Sequence, residues 1–449
     1  MGHLEDLRSQ LTGTLVLPGE PEYDAARAAW NLAVDQRPAA VATPADVADV
    51  QAIVRAARAA GLGVSTQPNG HGADADLEGV VLVRPSRFDE ITVDVEASVL
   101  RVGAGVNWGR ALARLDGTGR IALAGSNPEV NAVALALNGG QSMFSRRFGL
   151  TARSVIAVDL VDASGEARRI DDASDPDLIW ALRGGGGLFG VVTAIEVALF
   201  PADALFGGSL AFPIESGVEV LRAGFALARD VPELGLDLGL ARFPDLPLVP
   251  PPLRGRTVAT VALVHVGDEA TGRSYADRLT AVAAPVADTL TAFTIGSLAA
   301  VAAEPTAPMP NADFGAAIDA LDDAFAAELV DAFLAGADHG LMRVSVRALG
   351  GAIADELGAD LAAVGAVHAG GFLNSGVVLL DPSIDAPAAL RPLRELAARH
   401  PGDRVVPTFL GRGTTLADAY PREVVERLAA VKRRVDPDGV IRANRPIGA

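Results

Sequence analysis

DLIWALRGGGGLFGVVTAIEVALFP, residues 177–201, is the stretch from which the rest of the chain is read. It opens on a short helical run, breaks at the glycines 184–187 and continues as an apolar, β-branched strand over 191–199 that Pro201 ends. A dinucleotide turn of the doubly wound type needs strand, tight turn and helix N-terminus in that order. Here the glycines follow a helix, so that mechanism fails. Gly103-Ala104-Gly105 does follow a strand, but the third glycine is Gly109, one residue late, with Trp108 in its place. The nucleotide-binding signature of a parallel sheet is therefore absent twice.

Upstream, residues 39–66 read as β-α-β. A strand over 39–42 leads to Thr43-Pro44, an N-cap and first-turn proline, and Val47, Val50, Ile53, Val54 and Ala57 recur at helical spacing before Gly61. Strands follow at 80–83, 91–95, 99–102, 155–161 and 167–170, with an apolar helix over 130–137. Helix and strand mix without regular alternation, which predicts an α+β fold. Downstream, the proline run 247–252 is a loop. Strands over 258–266, 343–348 and 376–380 alternate with alanine-rich helices, predicting a second sheet with helices on one face. The expected division is residues 1–203, 204–404 and a C-terminal segment, 405–449, with a helix over 422–435 and a tail over 441–447.

Composition removes many chemistries. The 449 residues are 50% apolar, enough for two or three domains. No apolar run approaches the ~18 residues of a membrane span, and the N-terminus has no secretory pattern. The cytoplasm is the expected location, with Gly2 and His3 read as a cloning scar. A net charge of −18 argues against nucleic acid or an anionic membrane as partner. There is no Cys, hence no thiolate nucleophile or thiolate metal site. The single lysine, Lys432, follows no glycine-rich loop. The six histidines (3, 71, 265, 339, 368 and 400) show no ligand spacing, so no metal is expected. No G-x-S-x-G elbow occurs. Such a protein must borrow its chemistry, and an organic cofactor is the natural source.

Where that cofactor sits is a distributed signal. Thr66-Gln67-Pro68-Asn69-Gly70-His71-Gly72 follows a strand, and its backbone N–H groups can form an anion nest. Gly125-Ser126-Asn127-Pro128 and Asn138-Gly139-Gly140 come later; glycine there lets backbone approach a ligand closely. Taken singly, each is also an ordinary tight loop.

Together with the opening stretch they resemble one family. Pro21-Glu22-Tyr23-Asp24…Trp30-Asn31 is similar to its N-terminal signature, and PNGHG resembles its R-G-G-G-H flavin loop. GSNPEVNAVALALNGGQSMFSRRFGL (125–150) resembles its G-x-C-P…G-G-G…R-x-Y-G-L segment. Residues 177–201 match its W-A-L-R-G-G-G-x-x-x-G-V-V-T block, and ERLAAVKRRVDPDGVIRANRPI (426–447) its closing motif. The likeness runs from about residue 20 to the end and is weakest over 204–404. The family is the FAD-linked oxidases of the vanillyl-alcohol-oxidase and berberine-bridge type. It implies a PCMH-type FAD-binding domain of two α+β subdomains, plus a substrate domain with a mainly antiparallel sheet and flanking helices.

By the same resemblance Gln67, Pro68, Asn69, Gly70, His71 and Gly72 wrap the FAD pyrophosphate. Gly125, Ser126, Asn131, Gly139 and Gly140 line the other side, Gly190 and Val192 touch the cofactor through backbone, and Asn444 lies near the flavin ring. His71 stands where many members link the flavin covalently; the alternative is a hydrogen-bonded histidine beside non-covalent FAD. The cysteine of a second link is replaced by Asn127. The family's catalytic Tyr-x-Asn is missing as well, with Val406-Pro407-Thr408-Phe409 in its place. A base titrating near neutrality must then be found elsewhere. His368, after an apolar run over 361–367, is the first candidate, with Asn374 nearby; His265 is the second, and Arg347 is a candidate for orienting substrate or for a salt bridge. The resemblance implies hydride transfer from a small-molecule substrate to flavin N5, with O2 or another acceptor. A secondary alcohol of a sugar, glycoside or natural product is the expected donor. A dehydrogenase using a protein or quinone acceptor, and a flavin-binding protein without catalysis, are the alternatives; the oligomeric state stays open.

Overall fold

The computed structural model describes residues 2–448 apart from 75, 357 and 382; the side chains of residues 2 and 3, His3 among them, lie outside the described residues. Two sheets build the N-terminal part. The first has four strands in the order Thr14–Val16, Ala40–Thr43, Val80–Val83, Gly63–Thr66, the last three parallel. Helix Val47–Ala59 covers it through Val50, Ile53, Val54 and Ala57, as its spacing predicts. Its N-cap is Asp46, whose carboxylate accepts the Asp49 amide, whereas Thr43 and Pro44 only end the preceding strand. The second sheet is antiparallel, in the order Ile91–Asp94, Val99–Gly103, Val191–Ala198, Val155–Val161, Ala167–Ile170. Gly103 and Gly105 serve that packing: a Cβ on either would strike backbone at Phe88 or Pro85.

The third sheet has eight strands, all antiparallel. Its main path runs Ala287–Asp288, Leu205–Pro213, Thr257–Val266, Gly235–Arg242, Arg343–Ala348, Gly371–Val378, Asn311–Ile318. Helices Gly217–Asp230, Glu269–Thr280, Asp323–Ala337 and Ala386–Arg399 bury one face with Leu236, Leu238, Val261, Leu263, Val344, Val346, Leu373 and Val377. The strand expected at 376–380 begins earlier, at Gly371. Residues 361–367 form no strand at all; only a 3-10 turn, Ala359–Leu361, precedes an irregular run. The fold is α+β, as the sequence predicts.

The chain's end returns to its beginning. Val64 N–H donates to Val440 O at 2.7 Å and Arg442 N–H to Val64 O at 2.8 Å, so the tail lies along the edge strand Gly63–Thr66. Lys432 and Asp436 of helix Arg422–Val435 and the turn after it hold it there. Among the described residues, no helix is long and apolar enough to cross a membrane.

Candidate active site

Alternation along the eight-stranded sheet decides which side chains face away from the helices. That other face carries Asp237 and Gly239, Arg343, Ser345 and Arg347, Phe372 and Asn374, and Asp313 and Gly315. Arg347 reaches across to the loop after Gly125: its Nη2 donates to Ser126 Oγ at 2.9 Å, and Ser126 Oγ donates to Glu304 at 2.6 Å. Arg347 also pairs with Asp237 at 3.4 Å and Glu304 at 3.3 Å, and its guanidinium lies over the Phe409 ring. The salt-bridge role expected for Arg347 is the one the geometry gives it. This sheet face therefore looks onto the glycine loops.

The loop after Gly63–Thr66 is built around His71 and Gln67. The His71 ring stacks on Trp30, centroids 4.5 Å apart. Burial pulls its pKa down to about 4 against the opposing charge of Glu304, so the imidazole is neutral at physiological pH. Gln67 Oε1 accepts from Asn444 Nδ2 at 2.9 Å, joining two positions 377 residues apart. Asn69 donates to Asn107 at 2.9 Å, and Pro68 O and Gln67 O accept from Arg84. On the other side, Gly139 (φ +95°) and Gly140 (φ +64°) turn sharply, and a Cβ at 139 would strike Val406. Gly140 N–H donates to Thr408 Oγ1 at 2.9 Å, and Thr408 Oγ1 donates to Asn138 O at 2.6 Å. The segment 406–409 is thus a clasp on the second glycine loop.

The remaining positions have these partners within the protein. Asn131 is spent as a cap, accepting from Ala134 N and donating to Ala104 O at 2.7 Å. Gly190 lets its strand approach Val161 O, Val192 is buried in the ladder, Gly125 lies against Leu135, and Gly72 has no close neighbour at its Cβ position. Asn374 stands on the sheet face away from the helices, between Gly315 and Ser345. The two histidines leave the site. His368 is half-exposed and its Nε2 lies 2.8 Å from Glu356, because residues 361–367 do not form the strand that would have carried it inward. His265 shares strand parity with Val261 and Leu263 and points into the helix-covered face, edge-on to Tyr275. Burial lowers its pKa, as for a core histidine. No tyrosine replaces them. Tyr420 is buried, donates to Gly184 O at 2.9 Å and has its pKa pushed well up by that burial, so it keeps its proton.

The residues fit a polar, planar ligand between the loops and the sheet. Buried side-chain atoms without hydrogen-bond partners recur there: His71 Nε2, Gln67 Nε2 and Trp30 Nε1 around the first loop, and Gln141 Oε1 in the small pocket it shares with Arg347. Buried donors and acceptors are ordinarily paired, so such a cluster calls for a partner of matching shape. Residues 38–171 match the family model of an FAD-binding domain. The chain therefore carries an FAD-binding domain of that kind.

Named FAD-linked oxidases resemble the chain in sequence and in fold. It is 32% identical to (R)-6-hydroxynicotine oxidase of Paenarthrobacter nicotinovorans over 192 residues, 42% of each chain. The sequence match thus spans about two fifths of that relative's length. The structure of 6-hydroxy-D-nicotine oxidase from Arthrobacter nicotinovorans superposes with TM-score 0.82, at 24% identity and over 96% of this chain and 97% of the other. A berberine bridge enzyme variant gives 0.82 at 15% identity and a chitooligosaccharide oxidase 0.82 at 20%, each over 99% of both chains. At such identities these three superpositions show the shared fold. The loop around His71 also rests on residues that the sequence does not single out. Arg84 is one: buried, with its pKa lowered to about 10, it ties the carbonyls of Ala26, Arg27, Ala28 and Gln67 together. An arginine placed directly after the wholly apolar strand Val80–Val83 was the available signal. Glu304 and Asp237 carried none, since their shared partner Arg347 lies far off in sequence.

Proposed function

We propose that this chain is an FAD-dependent oxidase acting on a secondary alcohol of a sugar, glycoside or natural product. FAD, when bound, takes a hydride from the substrate carbon at N5 and passes the electrons to O2 or another acceptor. The FAD-binding unit of this reading is residues 1–203 with 405–449, and residues 204–404 supply the sheet that covers substrate. One observation carries the substrate class. Across four strands the face away from the helices has the row Gly315, Asn374, Ser345, Gly239, flanked by a row with Phe372, Arg347 and Asp237. Small and hydroxyl- or amide-bearing residues leave a shallow polar floor, suited to hydroxyl groups. The chitooligosaccharide oxidase of the same fold agrees with that reading.

His71 and Gln67 with Asn444 hold the cofactor from one side, and the 125–140 loop from the other. A neutral imidazole with a free Nε2 is a competent nucleophile, so the proposal includes a covalent bond from His71 to FAD. Acid precipitation is then expected to leave yellow flavin on the protein, and His71→Ala to release it. Flavin that washes out of the unmodified chain would show that His71 only packs beside it.

The purified chain is expected to carry one FAD. Its flavin should bleach under argon with at least one of glucose, cellobiose, chitobiose and a panel of plant glycosides, and recolour in air. Bleaching without recolouring until a quinone is added would favour the dehydrogenase reading. No bleaching by any alcohol would leave a flavin-binding protein.

A further inference from the structure

Resting on the alcohol-oxidising reading, we propose that Asp313 is the base that takes the hydroxyl proton of the substrate. Strand Asn311–Ile318 sends Ala312, Phe314, Ala316 and Ile318 to the helix-covered side, so Asp313 stands on the face that looks onto the glycine loops. Its ladder partner is Gly376. The next row is the polar floor of Gly315, Asn374, Ser345 and Gly239, and the row beyond holds Phe372, Arg347 and Asp237. Four residues along a strand span about 13 Å, so Asp313 lies about that far from the Arg347 row, with the polar floor between them.

The other carboxylates at this face are committed. Asp237 and Glu304 pair with Arg347, and Asp74 pairs with Arg445 and Arg412 and accepts the Gly413 amide. Asp313 is held by the neutral side-chain amide of Asn311 and, among the described residues, by no ion pair. Its side chain stays accessible while protein surrounds it. That loss of solvation raises its pKa despite the positive charges of Arg412 and Arg445, which makes the carboxylate more basic.

The step balances. The substrate O–H proton goes to the Asp313 carboxylate, and the C–H hydrogen leaves with both electrons to the isoalloxazine, so the carbinol becomes a carbonyl. Asp313 then gives its proton to water, and O2 takes the two electrons with two protons to become hydrogen peroxide.

The test uses FAD-loaded wild type, Asp313→Asn and Asp313→Glu with the alcohol that bleaches wild type fastest. Losing a general base costs ~10²–10⁴-fold. Asp313→Asn should slow bleaching under argon by that factor at unchanged FAD content, and Asp313→Glu should recover part of it. The wild-type rate should fall as pH drops through a value above the ordinary carboxylate range, and the asparagine variant should lose that limb. A second readout needs no turnover: the infrared difference between wild type and Asp313→Asn should show a protonated-carboxyl band persisting above ordinary carboxylate pH. Wild-type rates in Asp313→Asn, or a carboxyl titrating at its ordinary value, would overturn this assignment alone. A wild type that binds FAD but is bleached by no alcohol overturns the alcohol reading and this base together.

Discussion

Asp436→Ala is expected to destabilise the protein by about 3–5 kcal/mol, the range for breaking a buried pair from one side. The Asp436 side chain is fully buried and serves three donors at once: Lys432 Nζ at 2.6 Å, Val440 N at 2.9 Å and Ile441 N at 2.8 Å. Lys432 also donates to Leu188 O and Ile441 O, so one ammonium joins the C-terminal tail to the 177–201 block. Removing the carboxylate leaves that ammonium desolvated with two carbonyls for company, and burial already pushes the Lys432 pKa down. The loss should reach the site, because the same tail carries Asn444 to Gln67. Urea unfolding of the FAD-loaded protein, with FAD retention followed by fluorescence, measures both effects. Asp436→Asn keeps one acceptor oxygen and should lose less. An alanine variant within about 1 kcal/mol of wild type would show that the tail is held by its backbone contacts alone.

Arg347→Ala should cost nearly as much, about 3 kcal/mol, and should weaken FAD binding as well. Asp237 and Glu304 would be left facing one another's charge in a half-dry site, with side chains 10% and 23% exposed. Ser126 would lose the donor that fixes its loop. Arg347→Lys keeps the charge without the planar fork that reaches Asp237, Glu304 and Ser126 together, so an intermediate loss is expected. Adding Asp237→Asn to Arg347→Ala should recover part of the stability by removing one unpaired carboxylate. Chemical denaturation and FAD titration of the three variants check this. Equal stability in all three would mean that water satisfies these carboxylates.

The family's motifs were legible because each is local. The TQPNGHG loop, the 125–140 stretch and the 177–201 block place their glycines where backbone turns or closely approaches something, and that demand is written in neighbouring residues. The element types were legible for the same reason: Val50, Ile53, Val54 and Ala57 repeat with helical period, and the strands of both smaller sheets are β-branched runs. His71 and Gln67 could be singled out from that context.

The substrate side was not legible. His265 and Arg347 both sit in apolar strands, and their roles separate only through parity: His265 points to the helices and Arg347 to the loop of Ser126. A one-residue change of register reverses such an assignment. His368 read as the end of a strand, but residues 361–367 satisfy their backbone through Trp180, Arg183 and Ile353 instead of a ladder. The sequence by itself therefore determined the cofactor class, the α+β architecture and the glycine loops, because these depend on turns and periodicities within a few residues. Only the tertiary structure decided which charged side chains meet across the site. Arg347 finds Ser126 across 221 residues, and Asp313 gains its environment from Arg412 and Arg445. Coulombic and desolvation effects depend on distance in space, which sequence separation does not encode.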